Sequence, residues 1–204
     1  MIDRSVLRLV AITDNVRDGQ TGLIARASAA VHGGATCVQL RLKDVAARDL
    51  VSIARELVRA IGVPVFVNDR TDVAIAAGAA GVHLGADDMP VSAARGIAPE
   101  GFIIGVSVGS DDEVAFSAGA DYVGIGPVFA TNSKPDAGAP IGIEEFTRLS
   151  VATGIPAVAI GGITAANARS AIDAGVVGVA VISSVFGATD PLAAARQLAF
   201  AIGT

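Results

Sequence analysis

A junction repeated along the chain constrains its fold more than any other feature. Residues 77–82 (AGAAGV), 118–123 (AGADYV) and 174–179 (AGVVGV) each close an alanine-rich stretch on glycine and open a β-branched run. His32-Gly33-Gly34-Ala35 is a looser copy. Glycine just past a helix end takes the left-handed conformation cheaply, and a strand follows at once. Copies of one helix-to-strand junction imply repeated βα units.

The rest of the chain alternates in the same way. Strands are expected at 6–13, 36–42, 63–67, 81–84, 102–106, 122–125, 157–160 and 176–182, with helices near 21–33, 46–61, 71–78, 90–97, 111–118, 142–153, 165–174 and 190–201. In the second helix, Leu50, Ile53, Ala54, Leu57, Val58 and Ile61 form one apolar stripe, and Arg48, Arg55 and Arg59 fall off it. Such alternation within 204 residues favours an α/β fold, a single-domain (β/α)8 TIM barrel over residues 1–204. A doubly wound sheet is the alternative, although eight strands are many for a sheet in so short a chain.

Hydrophobic residues make up 52% of the chain and charged residues 17%, which excludes a disordered chain. A net charge of -5 argues against a nucleic-acid partner. No apolar run approaches the ~18 residues of a membrane span. The N-terminus, with Asp3, Arg4 and Arg8, lacks a signal-peptide core. One cysteine, Cys37, excludes an internal disulfide and is compatible with a reducing cytosol. The expectation is a cytoplasmic chain without a membrane partner.

In a parallel barrel the chemistry lies at the C-terminal ends of the strands. The second strand reads CVQLRLKD, and alternation puts Cys37, Gln39, Arg41 and Lys43 on one face. An edge strand with a wet polar face would explain this too. A barrel has no edges, so these side chains are expected to line a site. Arg41 offers a planar fork for phosphate oxygens and Lys43 a mobile charge.

The third strand ends in Asn68-Asp69-Arg70 and the fourth in His83-Leu84-Gly85-Ala86-Asp87-Asp88. Acidic ends on adjacent strands suit magnesium, which takes one or two carboxylates and completes its shell with water and phosphate. For Asp87 and Asp88, capping the next helix stands level with metal binding. Asp69 and Arg70 equally make a surface ion pair, and His83, in an apolar run, reads as packed.

Ser107 sits at the end of the fifth strand, whereas Ser110 with Glu113 reads as a structural capping box. Gly161-Gly162 and Ser183-Ser184 follow the seventh and eighth strands, where phosphate sites are common in this architecture. Glycine pairs let backbone N–H groups approach an anion.

Between the sixth strand and the next helix, residues 122–141 break at Gly126-Pro127. They then run without period through Thr131, Asn132, Ser133, Lys134 and Asp136. Aperiodic loops of this length are functional or disordered. Val128 and Phe129 can anchor this one, and its hydroxyls beside a lysine, hinged by Pro135 and Gly138, suit an anion clamp. No Ser-His-Asp order, Cys/His metal cluster or dinucleotide-binding glycine signature is present in the sequence.

Taken together, VQLRLK, VFVNDRTDVA, GVHLGADD, GVSVGS, DYVGIGPVFATNSKPDAG, VAIGGIT and GVAVISS resemble, in order, the thiamine-phosphate synthase family. Members join a pyrimidine methyl diphosphate to a thiazole phosphate, giving thiamine monophosphate and pyrophosphate. The resemblance implies that Gln39, Arg41, Lys43 and Asn68 flank the pyrimidine and diphosphate. It implies Asp69 and Asp88 as Mg2+ ligands, Ser107 and Lys134 as further diphosphate contacts, and Thr131, Ser133, Gly162, Ile182 and Ser183 around the thiazole phosphate. Arg41, Lys43 and Lys134 would carry the catalytic charge stabilisation.

The chain departs from the family pattern at Leu42, where an acid is usual, and at Val10, where an aromatic is. It departs too at Ser133 in place of threonine and at Val108. A related thiazole tautomerase would need a phosphate pocket and an acid/base residue, but no diphosphate or metal site. Asp69, Asp88 and Lys134 speak against it. A non-catalytic barrel binding a phosphorylated ligand is a third reading, supported by Leu42 and Val10.

Overall fold

The computed structural model describes residues 2–14, 18–133 and 138–204. Its strands are β1 (Leu9–Ile12), β2 (Cys37–Leu40), β3 (Val65–Asn68), β4 (Gly81–Leu84), β5 (Ile103–Val108), β6 (Tyr122–Ile125), β7 (Ala157–Ile160) and β8 (Gly178–Val181). Each pairs in parallel with the next and β8 returns to β1, so the sheet closes into an eight-stranded barrel rather than opening as a doubly wound sheet. Its helices are α1 (Gly19–His32), α2 (Ala47–Ala60), α3 (Thr71–Ala77), α4 (Val91–Ile97), α5 (Asp111–Val114), α6 (Gly142–Thr153), α7 (Ala168–Asp173), α8 (Ser183–Phe186) and α9 (Pro191–Ile202).

Strand alternation builds two cores. Leu9, Ala11, Val38, Leu40, Val65, Val67, Val123 and Val179 join the layer against the helices. Their sequence neighbours Val10, Ile12, Cys37, Phe66, Tyr122 and Ala180, together with Val158, form a second cluster inside the barrel. Burying each large aliphatic side chain contributes about 1.5–3 kcal/mol. On α2 the expected stripe is the buried one, at Leu50, Ile53, Ala54 and Leu57. The repeated junction behaves as read, with Gly78, Gly119 and Gly175 all at positive φ.

The barrel interior is fitted around one aromatic stack. Phe66 and Tyr122 lie 5.7 Å apart between ring centroids, and His83 lies 5.5 Å from Tyr122. A Cβ at Gly105 would run into the Tyr122 ring, and one at Gly124 would press on His83 Cε1 at 3.1 Å. Small residues on β5 and β6 therefore make the space that the rings fill.

Several boundaries differ from expectation for local reasons. The first strand is preceded by a 3-10 turn at Arg4–Leu7, whose start is capped by Asp3 accepting from Ser5 N–H. The second strand stops at Leu40, so Arg41 and Lys43 stand in the loop beyond it. Residues 164–167 form a turn before α7, with the Asn167 side chain accepting from Thr164 N–H at 2.7 Å. Ser110 makes no side-chain cap. Glu113 accepts from the Gly109 N–H at 2.5 Å, one residue before the N-cap, so the expected capping box does not form. Helix α8 was not expected, because one turn is too short to show a period. Among the described residues no helix is long and apolar enough to cross a membrane.

Candidate functional site

A cavity of about 1080 Å³ opens over the C-terminal ends of the strands. One part of its wall comes from the loops after β2, β3 and β4. Arg41 is clamped through its backbone: its N–H donates to Thr13 Oγ1 at 2.8 Å, and its carbonyl accepts from the same hydroxyl at 3.0 Å. Thr13 is fully buried at the end of β1, and the sequence reading missed it. Leu42 packs against the outer core, away from the site, as alternation implied. Lys43 reaches across to Asp69, with Nζ 3.0 Å from Oδ2.

Gln39 stops short of the cavity wall. Its side chain is buried inside the barrel and donates from Nε2 to Asn68 Oδ1 at 2.6 Å, so it orients Asn68, which does reach the wall. Asp69 sits at φ +65°, a left-handed conformation. The Arg70 N–H donates to the Asn68 carbonyl at 2.8 Å across it, the hydrogen bond of a γ-turn with positive φ at its centre. That turn is rare and strained. Arg70 pairs with Asp72, not with Asp69.

The strain at Asp69 is measurable. Asp69→Ala keeps a Cβ in the left-handed conformation and Asp69→Gly removes it. The glycine variant is expected to be the more stable by about 1 kcal/mol, the left-handed penalty less glycine's extra chain entropy. Urea unfolding of both variants measures the difference, and equal midpoints would mean that the turn stores nothing.

Asp88 does not cap α4, whose N-cap is Pro90 with no side-chain bond. Instead its Oδ2 accepts from the Gly85 N–H at 2.6 Å, which turns the carboxylate back toward Asp69. Burial pushes the Asp88 carboxyl above its ordinary value. The Gly85 N–H opposes this, the neighbouring Asp69 carboxylate adds to it, and the Lys43 charge opposes it. Asp87 also borders the cavity but is exposed.

His83 is buried, as read, yet it is not only packing. Its Nδ1 lies 3.0 Å from the Tyr122 hydroxyl and its Nε2 lies 3.0 Å from Ser107 Oγ, and both His83 and Ser107 border the cavity. A histidine two residues after a glycine on an inward-facing position is the only sign the sequence offers of this.

The opposite part of the wall comes from the loops after β6, β7 and β8. Gly161 and Gly162 have φ +93° and +64°. Added Cβ atoms would meet the backbone of Pro127 and of Phe129 and Ala130, so both glycines are needed for the long loop to lie on them. The loop is tied there: Val128 N–H donates to the Ile160 carbonyl at 2.8 Å and Phe129 N–H to Gly161 at 3.0 Å. At its far end Ile141 N–H returns to Pro127 at 2.8 Å.

Farther along, Ser133 N–H donates to Thr131 Oγ1, and Ser133 Oγ lies 2.9 Å from Ser183 Oγ. Asn167, also missed from sequence, donates to the Gly162 carbonyl at 2.9 Å. Thr131, Ser133, Gly162, Ile182 and Ser183 thus share this side of the cavity. Lys134, with Pro135 and Asp136, lies outside the described residues.

Residues 9–185 match the family model described as thiamine monophosphate synthase. A thiamine-phosphate synthase from Roseiflexus castenholzii is 50% identical over 192 residues, covering 92% of this chain and 84% of that one. One from Methanoculleus marisnigri is 52% identical over 197 residues, covering 93% and 92%. Among solved structures, a thiamine phosphate pyrophosphorylase from Pyrococcus furiosus superposes with a TM-score of 0.86 at 41% identity, covering 98% of this chain and 97% of that one. The chain belongs to the thiamine monophosphate synthase family.

Proposed function

We propose that this chain condenses 4-amino-2-methyl-5-pyrimidinylmethyl diphosphate with a thiazole phosphate, giving thiamine monophosphate and pyrophosphate. It acts as a transferase on two small phosphorylated substrates. The observation that carries the reading is one cavity with two unlike walls. Cations and paired carboxylates (Arg41, Lys43, Asp69, Asp88) line one wall, and glycine backbone and hydroxyls (Gly162, Ser133, Ser183) line the other. The first suits a diphosphate and the second a monophosphate.

The donor set of Asp69 and Asp88 fits magnesium: two hard carboxylates lie side by side, and the charge of Asp69 adds to the upward push on Asp88. Among the described residues no group of three His, Cys, Asp or Glu side chains is arranged around a metal. Water and substrate oxygens would therefore complete the shell. When bound, Mg2+ would neutralise charge on the departing diphosphate.

The chain's own residues do the rest. Arg41, held by Thr13, and Lys43, held by Asp69, place positive charge where the leaving group gains negative charge, and Lys134 adds a third cation from the long loop. Asn68, oriented by Gln39, hydrogen-bonds the aminopyrimidine. Thr131, Ser133, Gly162, Ile182 and Ser183 hold the thiazole phosphate so that the ring nitrogen faces the pyrimidine methylene as the C–O bond to diphosphate breaks. The nitrogen's electron pair forms the new C–N bond and the electrons of the old bond leave with pyrophosphate, so no general base is required.

The test is to incubate the protein with both precursors, with and without magnesium, and to assay thiamine phosphate. Product that requires the metal is the expected result. No product under any condition overturns the reading.

A further inference from the structure

The chain Tyr122–His83–Ser107 crosses the barrel interior and ends at the cavity. The Tyr122 hydroxyl is fully buried, and His83 Nδ1, 3.0 Å away, is its hydrogen-bond partner among the described residues. A buried phenol O–H that donates to nothing loses its hydration without replacement. Donating to Nδ1 satisfies it. Nδ1 is then the bare nitrogen of a neutral imidazole, and Nε2 carries the proton. Nε2–H points at Ser107 Oγ, also 3.0 Å away, so the serine oxygen accepts from the imidazole. Its own hydrogen is left to turn outward, toward the cavity that Ser107 borders.

We infer that Tyr122 and His83 are positioning residues that fix the Ser107 hydroxyl as a hydrogen-bond donor to the diphosphate of the substrate. This rests on the function proposed above, and it assigns direction to a hydroxyl that otherwise donates or accepts with equal ease. In the opposite polarity Ser107 would donate into the barrel and turn its lone pairs on the anion. The packing fits this arrangement. An added Cβ at Gly124 would press on His83 Cε1 and one at Gly105 would run into the Tyr122 ring, so the two glycines leave the space in which the rings meet.

Two measurements test it on the full chain. The protein has two histidines, His32 and His83, so ¹⁵N-labelled imidazole spectra with His32→Gln for assignment read the tautomer directly. A proton on Nε2 with Nδ1 bare is expected, and a proton on Nδ1 overturns the inference whether or not the enzyme is active.

The second measurement is calorimetric binding of inorganic pyrophosphate with magnesium. Ser107→Ala is expected to weaken it roughly tenfold, the scale of one charge-assisted hydrogen bond, and Tyr122→Phe roughly fivefold. Adding Tyr122→Phe to Ser107→Ala should cost nothing more, because the hydroxyl it orients is gone. Equal losses from Tyr122→Phe in both backgrounds would mean a general packing effect and overturn the inference, as would unchanged affinity in Ser107→Ala. Failure of the synthase reading shows separately, as absent product with the tautomer still as stated.

Discussion

Asp88→Asn is expected to lower kcat on the order of a hundredfold or more while the protein stays folded. Removal of one charge-stabilising group at a reacting centre has effects of that size. The substitution is nearly isosteric, and the asparagine carbonyl oxygen still accepts from the Gly85 N–H, so the loop after β4 keeps its tie. What disappears is one of two carboxylates that face each other, with the negative charge that would hold magnesium against the diphosphate. Losing that repulsion leaves the melting temperature unchanged or higher. Activity and stability therefore move independently, which excludes unfolding as the cause. Asp87→Asn, at the exposed neighbour, is the control and should change kcat by less than about threefold. Steady-state kinetics at saturating substrates, over a magnesium titration, measure both. A wild-type kcat and an unaltered magnesium requirement in Asp88→Asn would place the metal elsewhere.

The barrel was legible because its signals are local. The strands at 81–84, 122–125 and 157–160 coincide with β4, β6 and β7, each bounded by glycine, proline or alanine junctions. Alternation also put Arg41 and Lys43 on the correct side, although β2 ends before them, because Thr13 holds the extended course of the chain past Leu40. What was not legible depends on partners remote in sequence. Nothing near Thr13 or Asn167 shows that one will clamp Arg41 and the other Gly162. Of the two readings of Asp88, the helix cap is ruled out only by the direction of its carboxylate, toward Gly85 and not toward α4. His83 was read as packed because burial and burial with two hydrogen bonds look alike in one dimension. Leu42, the departure from the family pattern, faces the helices and leaves the cavity wall unchanged. Val10 is buried inside the barrel in the cluster with Phe66 and Tyr122, in register with Ala180, which borders the cavity.

Gly162→Ala should raise KM for the thiazole phosphate by about tenfold or more and raise KM for the diphosphate substrate by less. Two costs act at this position. Its φ of +64° is left-handed, a penalty of roughly 1–2 kcal/mol for a residue with a Cβ. The added carbon would also lie 2.5 Å from the Ala130 carbonyl oxygen and 2.8 Å from Phe129, inside any real contact distance. Backbone cannot move aside as a flexible side chain would, so the loop after β6 has to lift from β7. Lifting it carries Ser133 away from Ser183 and dissolves the hydroxyl cluster on the monophosphate side. The wall with Arg41, Lys43, Asp69 and Asp88 belongs to other strands, and of the groups assigned to the diphosphate only Lys134 belongs to this loop, which is why the thiazole phosphate should lose more. Gly138→Ala isolates the first cost from the second, since Gly138 is also left-handed, at φ +74°, but an added Cβ there meets nothing among the described residues. If both alanine variants raise KM equally, strain within the loop governs the phosphate site. If only Gly162→Ala does, the seating of the loop on the glycine pair governs it, as the geometry requires.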